Sequence, residues 1–96
     1  MEGRASRSRG SAGIEGIGAI AKARGISAGV DNAFCSPVRQ RPMEFGGDVV
    51  AYSATKLMDG QGRVLAGAVC GTEEFINDKL LPFQRNTGPN LSPFNA

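Results

Sequence analysis

The chain has 96 residues, enough for one small domain and too few for a two-domain enzyme. It is 41% hydrophobic and 21% charged, carries a net charge of +2 and contains no His. Without His there is no serine- or cysteine-nucleophile triad, and two cysteines make neither a disulfide framework nor a zinc site.

No apolar run approaches the ~20 residues of a membrane span, and nothing resembles a secretory leader. A cytoplasmic, reducing compartment is therefore expected. Cys35 and Cys70 sit among small or apolar neighbours and read as buried thiols. No metal ligand set is foreseen. Any chemistry must rest on lysine and carboxylates, with a borrowed cofactor.

Residues 1–13 place Arg4, Arg7 and Arg9 among Ser and Gly, with no large apolar residue between Met1 and Ile14. With so little to bury, this reads as a disordered basic extension. Three arginines without an aromatic are a weak nucleic-acid signal, and no nucleic-acid partner is expected. Residues 14–96 form the folded part.

From Ile14 to Arg24 the apolar residues Ile14, Ile17 and Ala21 recur at helical spacing, widened by Ile20. Gly25 suits the position just past the helix end, and Gly16 and Gly18 weaken the helix by ~1 kcal/mol each. A short strand is read over Ile26–Val30, ending before Asp31. Pro37, Pro42 and a Gly pair make residues 36–47 a loop, with a short helix at Met43–Phe45.

Asp48–Tyr52 is a second strand and Val64–Val69 a third. Thr72 is read as the N-cap of a last helix that carries Phe75, Ile76 and Leu80 and is bounded by Pro82. Strands and helices in this order predict an α/β layer with a mostly parallel sheet. Strand direction itself is not legible in one sequence.

The chemistry concentrates in Ser53-Ala54-Thr55-Lys56, directly after the second strand, where ligand sites of α/β sheets gather. Ser53 and Thr55 can donate hydrogen bonds to a phosphate, and the Lys56 amine can condense with an aldehyde. Asp31 closes another strand, and a carboxylate there can hold a pyridinium nitrogen protonated. By spacing alone, the same residues also suit a solvated turn and a strand-end cap.

Three blocks in order narrow the choice. Val30-Asp31-Asn32-Ala33-Phe34-Cys35-Ser36-Pro37 comes first, then Gly47-Asp48-Val49-Val50-Ala51-Tyr52-Ser53-Ala54-Thr55-Lys56. Asp59-Gly60-Gln61-Gly62-Arg63-Val64-Leu65-Ala66-Gly67 follows. Together they resemble the cofactor-lysine region of the cysteine/methionine metabolism enzymes, fold-type-I proteins that use pyridoxal 5'-phosphate. The tail from Thr87 to Ala96 is similar to the segment that follows there.

The resemblance implies a partial three-layer sheet from the large cofactor-binding domain. It assigns Lys56 as the cofactor lysine and proton carrier, Asp31 to the pyridine nitrogen, and Ser53 and Thr55 to the phosphate. Gly60-Gln61-Gly62-Arg63 is similar to the branch that makes homocysteine from O-succinylhomoserine and sulfide. Cystathionine γ-synthases and γ-lyases more often carry Gly-His-Ser-Asp.

The implied partners are small molecules, an acyl-homoserine and sulfide, with a homotetramer for the full-length enzyme. The alternatives are a cystathionine γ-synthase or γ-lyase type of enzyme and a non-catalytic truncated module. The match covers Ile14 to Ala96, roughly a fifth of such an enzyme. Activity of the isolated chain is therefore not expected, and residues 1–13 look foreign to the family. Ser27 and Gly29 stand where the family has Val or Ile, so the strand that aims Asp31 should be weak.

Overall fold

The computed structural model describes residues 3–96, with side chains from residue 13 onward. The reading of residues 1–13 as an extension falls on residues 1–2, outside the described residues, and on the first turns of α1, whose side chains are outside them too. Helix α1 runs Gly3–Ala23 and so begins ahead of Ile14. It ends as its sequence requires. Gly25 adopts φ +65°, its N–H donates to Lys22 O and the Ile26 N–H to Ala21 O, the paired bonds of a Schellman end.

The face of α1 that packs differs from the stripe read above. Ile14 and Ala21 are half-buried and Gly18 is buried, whereas Ile17 and Ile20 are 66% and 60% exposed. Contact is made through Gly18 because a 3-10 turn, Pro42–Phe45, approaches the helix there at backbone distance. A methyl group built on Gly18 would stand 2.6 Å from Gly46 O.

Strand β1 is only Gly29–Asp31, consistent with the weakening effect of Ser27 and Gly29. Residues 26–28 stay outside the ladder. They are held instead by Asp48, whose Oδ2 accepts the Ala28 N–H at 2.8 Å. Strand β2 is Val49–Ser53 and β3 is Gly67–Gly71. The order across the sheet is β1-β2-β3.

β1 pairs with β2 in parallel, and β2 with β3 antiparallel. The sheet is therefore mixed where a mostly parallel one was expected. A parallel return usually needs a helical crossover. Residues 54–66 hold only a turn and fold straight back, closed by the Ala54 N–H on Ala66 O at 2.9 Å.

Val50 and Pro42 are fully buried, and Ala28 is buried as well. The molecule is a slab of 39 × 36 × 14 Å. One sheet face presents the row Asp31, Ala51, Val69, in mutual register and all exposed. Cys70 shares the other face with Val50 yet is exposed, and Cys35 is half-buried. The expectation of two buried thiols is corrected accordingly: β3 is an edge strand, and nothing among the described residues covers its flank at Cys70.

Thr72 caps the last helical stretch as read, its Oγ1 accepting the Phe75 N–H at 3.2 Å. Pro82 does not end that stretch. Helix α2 (Glu73–Phe75) leads into a wide π-type turn at Ile76–Leu80 and then helix α3 (Leu81–Thr87), with Pro82 in the first turn of α3. Proline is tolerated there because its missing N–H needs no partner, and the wide turn absorbs the break in the ladder.

Replacing the cap, Thr72→Ala, is expected to cost about 1 kcal/mol and Thr72→Ser much less, read from thermal melts. Equal melting points for the two variants would rule out the cap.

Candidate cofactor site

The site is built at the carboxyl ends of the parallel pair β1 and β2, where a chain leaving each strand can meet a ligand. Asp31 is the last residue of β1 and pairs with Ala51. Ser53, two residues beyond Ala51, falls on the same face by strand alternation. Asp31 Oδ1 accepts the Ala33 N–H at 3.0 Å, turning the chain out of the strand. Its Oδ2 has no hydrogen bond among the described residues.

Asn32, 4% exposed, anchors the loop that follows. Its N–H donates to Ala51 O at 2.8 Å and its Nδ2 to Gln40 O at 3.2 Å. This loop carries Phe34 to Lys56, whose Nζ lies 5.8 Å from the centre of the Phe34 ring. Sequence reading singled out neither Asn32 nor Phe34. A polar residue directly after a strand was a usable signal for Asn32. No short-range pattern points to Phe34, which is 76% exposed.

Lys56 sits in the turn Ala54–Met58, which its own backbone breaks at φ −85°, ψ −109°. Its side chain is exposed. Ser53 is half-buried, and its hydroxyl has no hydrogen bond among the described residues. Thr55 is committed differently. Its Oγ1 accepts the Ala66 N–H at 2.9 Å and donates to Ala66 O at 3.2 Å. The hydroxyl that sequence reading gave to a phosphate thus ties the turn to the chain entering β3.

The structure therefore places a carboxylate and a hydroxyl on one sheet face at the carboxyl ends of β1 and β2, with a primary amine in the turn that follows β2. That donor set fits pyridoxal phosphate, which offers a ring nitrogen, a phosphate and an aldehyde. Thr55 fits only if its single proton leaves Ala66 O. A separate cleft between α1 and the 3-10 turn, lined by Glu15, Lys22, Met43, Asp48 and Thr72 among others, includes none of these four residues.

The fold is thus a mixed α/β sheet with a lysine in the turn that leaves its central strand. The family model described as Cys/Met metabolism PLP-dependent enzyme matches residues 2–96. The chain belongs to that family, and pyridoxal phosphate is its expected cofactor. The family model's match begins at residue 2, and the alignments to the curated relatives span up to 86% of the chain.

The chain is 48% identical over 83 residues to the O-succinylhomoserine sulfhydrylase of Pseudomonas aeruginosa, covering 86% of this chain and 20% of that protein. It is 46% identical over 76 residues to an L-methionine gamma-lyase of Porphyromonas gingivalis, covering 78% and 19%. A crystal structure of the cystathionine gamma-lyase from Lactobacillus plantarum superposes with a TM-score of 0.80 at 30% identity, over 85% of this chain and 22% of that one. The chain thus spans about a fifth of the length of the curated relatives it matches.

Proposed function

We propose that these residues form the cofactor-lysine segment of a sulfur-transfer enzyme that makes homocysteine from O-succinylhomoserine and sulfide. Residues 14–96 would be part of its cofactor domain and residues 1–13 a basic extension. The carrying observation is the parallel register of β1 and β2, which sets Asp31 and Ser53 on one face beside the turn holding Lys56.

Bound pyridoxal phosphate supplies an electron sink for the carbon next to the substrate's amino group. Asp31 Oδ2 would accept the hydrogen bond of the protonated ring nitrogen. Ser53 Oγ would donate to the phosphate, and so would Thr55 Oγ1 once its proton leaves Ala66 O. Lys56 Nζ would hold the aldehyde carbon, and its amine could move protons. A second reading, γ-elimination, is favoured by the 46% identity to an L-methionine gamma-lyase. Turnover by the 96-residue chain alone is not expected, since it spans a fifth of its relatives.

The test is to mix the purified chain with pyridoxal phosphate, reduce with borohydride and map the adduct by peptide mass. Labelling is expected at Lys56 and lost in Lys56→Ala. Labelling spread evenly over Lys22, Lys56 and Lys79 would sink the reading.

A further inference from the structure

The turn carrying Lys56 is exposed, and the loop that follows it fixes its course. Asp59 Oδ2 accepts the Arg63 N–H at 2.8 Å, and Oδ1 lies 3.4 Å from the Arg63 guanidinium. The carboxylate thereby closes a loop in which Gly60 and Gly62 take φ +76° and +66°. Neither glycine would hold that shape by itself, because both are free to adopt many others.

The closed loop reaches back to the lysine. The Asp59 N–H donates to Ala54 O at 2.8 Å and the Gly60 N–H to Lys56 O at 2.9 Å. At its far end the loop delivers Ala66 to Thr55, giving the two bonds of the Thr55 hydroxyl. Lys56 is thus held between two ties, and both depend on the course of residues 59–66.

We propose that Asp59 is a positioning residue for Lys56, its carboxylate fixing the loop that orients the lysine backbone at the sheet edge. The proposal rests on the reading of Lys56 as the cofactor lysine. The Arg63 backbone N–H is the main cause holding the Asp59 carboxyl below its usual 3.8, with the Arg63 charge and the Gln61 N–H adding to it against the opposing effect of partial burial. Asp59 is 14% exposed and the Arg63 side chain 66%. The backbone bond therefore matters more than the solvated ion pair, which is a weak interaction in water.

Asp59→Ala, Asp59→Asn and Arg63→Ala separate these contributions. The readouts are the ratio of borohydride-trapped cofactor at Lys56 to that at Lys22 and Lys79, and amide hydrogen exchange at Gly60 and Arg63. Asp59→Ala is expected to lower the Lys56 ratio about tenfold and to speed exchange at both amides, since a charge-assisted bond is lost.

Asp59→Asn keeps an acceptor oxygen for the Arg63 N–H and should restore most of the preference. Arg63→Ala keeps the backbone donor and should change the ratio less than about twofold. If circular dichroism shows Asp59→Ala to be unfolded, the Asn and Arg63 variants carry the test. A larger loss in Arg63→Ala than in Asp59→Asn overturns the proposal.

Selective labelling of the wild type with an unchanged ratio in a folded Asp59→Ala overturns this proposal alone. Unselective labelling of the wild type overturns the reading of Lys56 and the proposal with it. The exchange data would still report whether the loop is closed.

Discussion

Gly18→Ala is expected to lower the melting temperature, while Gly16→Ala, one half-turn away in the same helix, raises it. A methyl group at Gly16 meets nothing within 4 Å, so that substitution collects the helix-propensity gain of up to ~1 kcal/mol. At Gly18 the same methyl would lie 2.6 Å from Gly46 O and 3.0 Å from Gly46 C. Gly46 cannot easily retreat. It closes the 3-10 turn at φ +91°, and the next N–H, on Gly47, is bonded to Pro42 O at 3.0 Å.

Overpacking of this kind costs typically 1–3 kcal/mol, more than the propensity gain. In a domain of this size each kcal/mol moves the midpoint by roughly 4–8 °C. Thermal melts followed by far-UV circular dichroism compare the pair directly. Shifts of the same sign in both variants would show that α1 does not meet the 3-10 turn at Gly18.

Thr55→Val should damage both the fold and the cofactor edge, where Ser53→Ala should damage only the second. Valine keeps the branched shape of Thr55 but leaves the Ala66 N–H without its acceptor, while Ala66 O keeps the Ala54 N–H. An unmet, partly buried backbone group costs about 1–3 kcal/mol. Half-burial of Thr55 places the effect toward the low end. Thr55→Ser retains the hydroxyl and should recover most of the loss.

Ser53 makes no such bond among the described residues, so removing its hydroxyl should leave the melting point nearly unchanged while weakening retention of pyridoxal phosphate. A melting-point loss in Ser53→Ala as large as in Thr55→Val would refute this division of labour. The measurement pairs a melt with a cofactor titration for each variant.

The stop of α1 at Gly25, the cap at Thr72 and the placing of Thr55 and Lys56 just after a strand, with Ser53 at its end, are all legible in the sequence. Each depends on groups only a few residues apart, and short-range steric and hydrogen-bonding rules act over that distance. The weakness of β1 is legible too, from Ser27 and Gly29. Family membership shows in the ordered blocks around Asp31 and Lys56.

The direction of β3 is not legible, because antiparallel and parallel partners ask for the same small, β-branched residues. Nor is the packed face of α1. Ile17 and Ile20 fit the helical period as well as Ile14 does, but only Gly18 admits the backbone of the 3-10 turn.

At the candidate site, the sequence by itself determined where Asp31, Ser53, Thr55 and Lys56 fall relative to the strand ends. Tertiary structure decided what holds them. Phe34 reaches Lys56 across a strand pair, Ala66 takes the hydroxyl of Thr55, and Asp59 closes the loop between them. Contacts such as Phe34 with Lys56 and Ala66 with Thr55 join residues far apart in the chain and depend on register and backbone course. Local preference does not encode those.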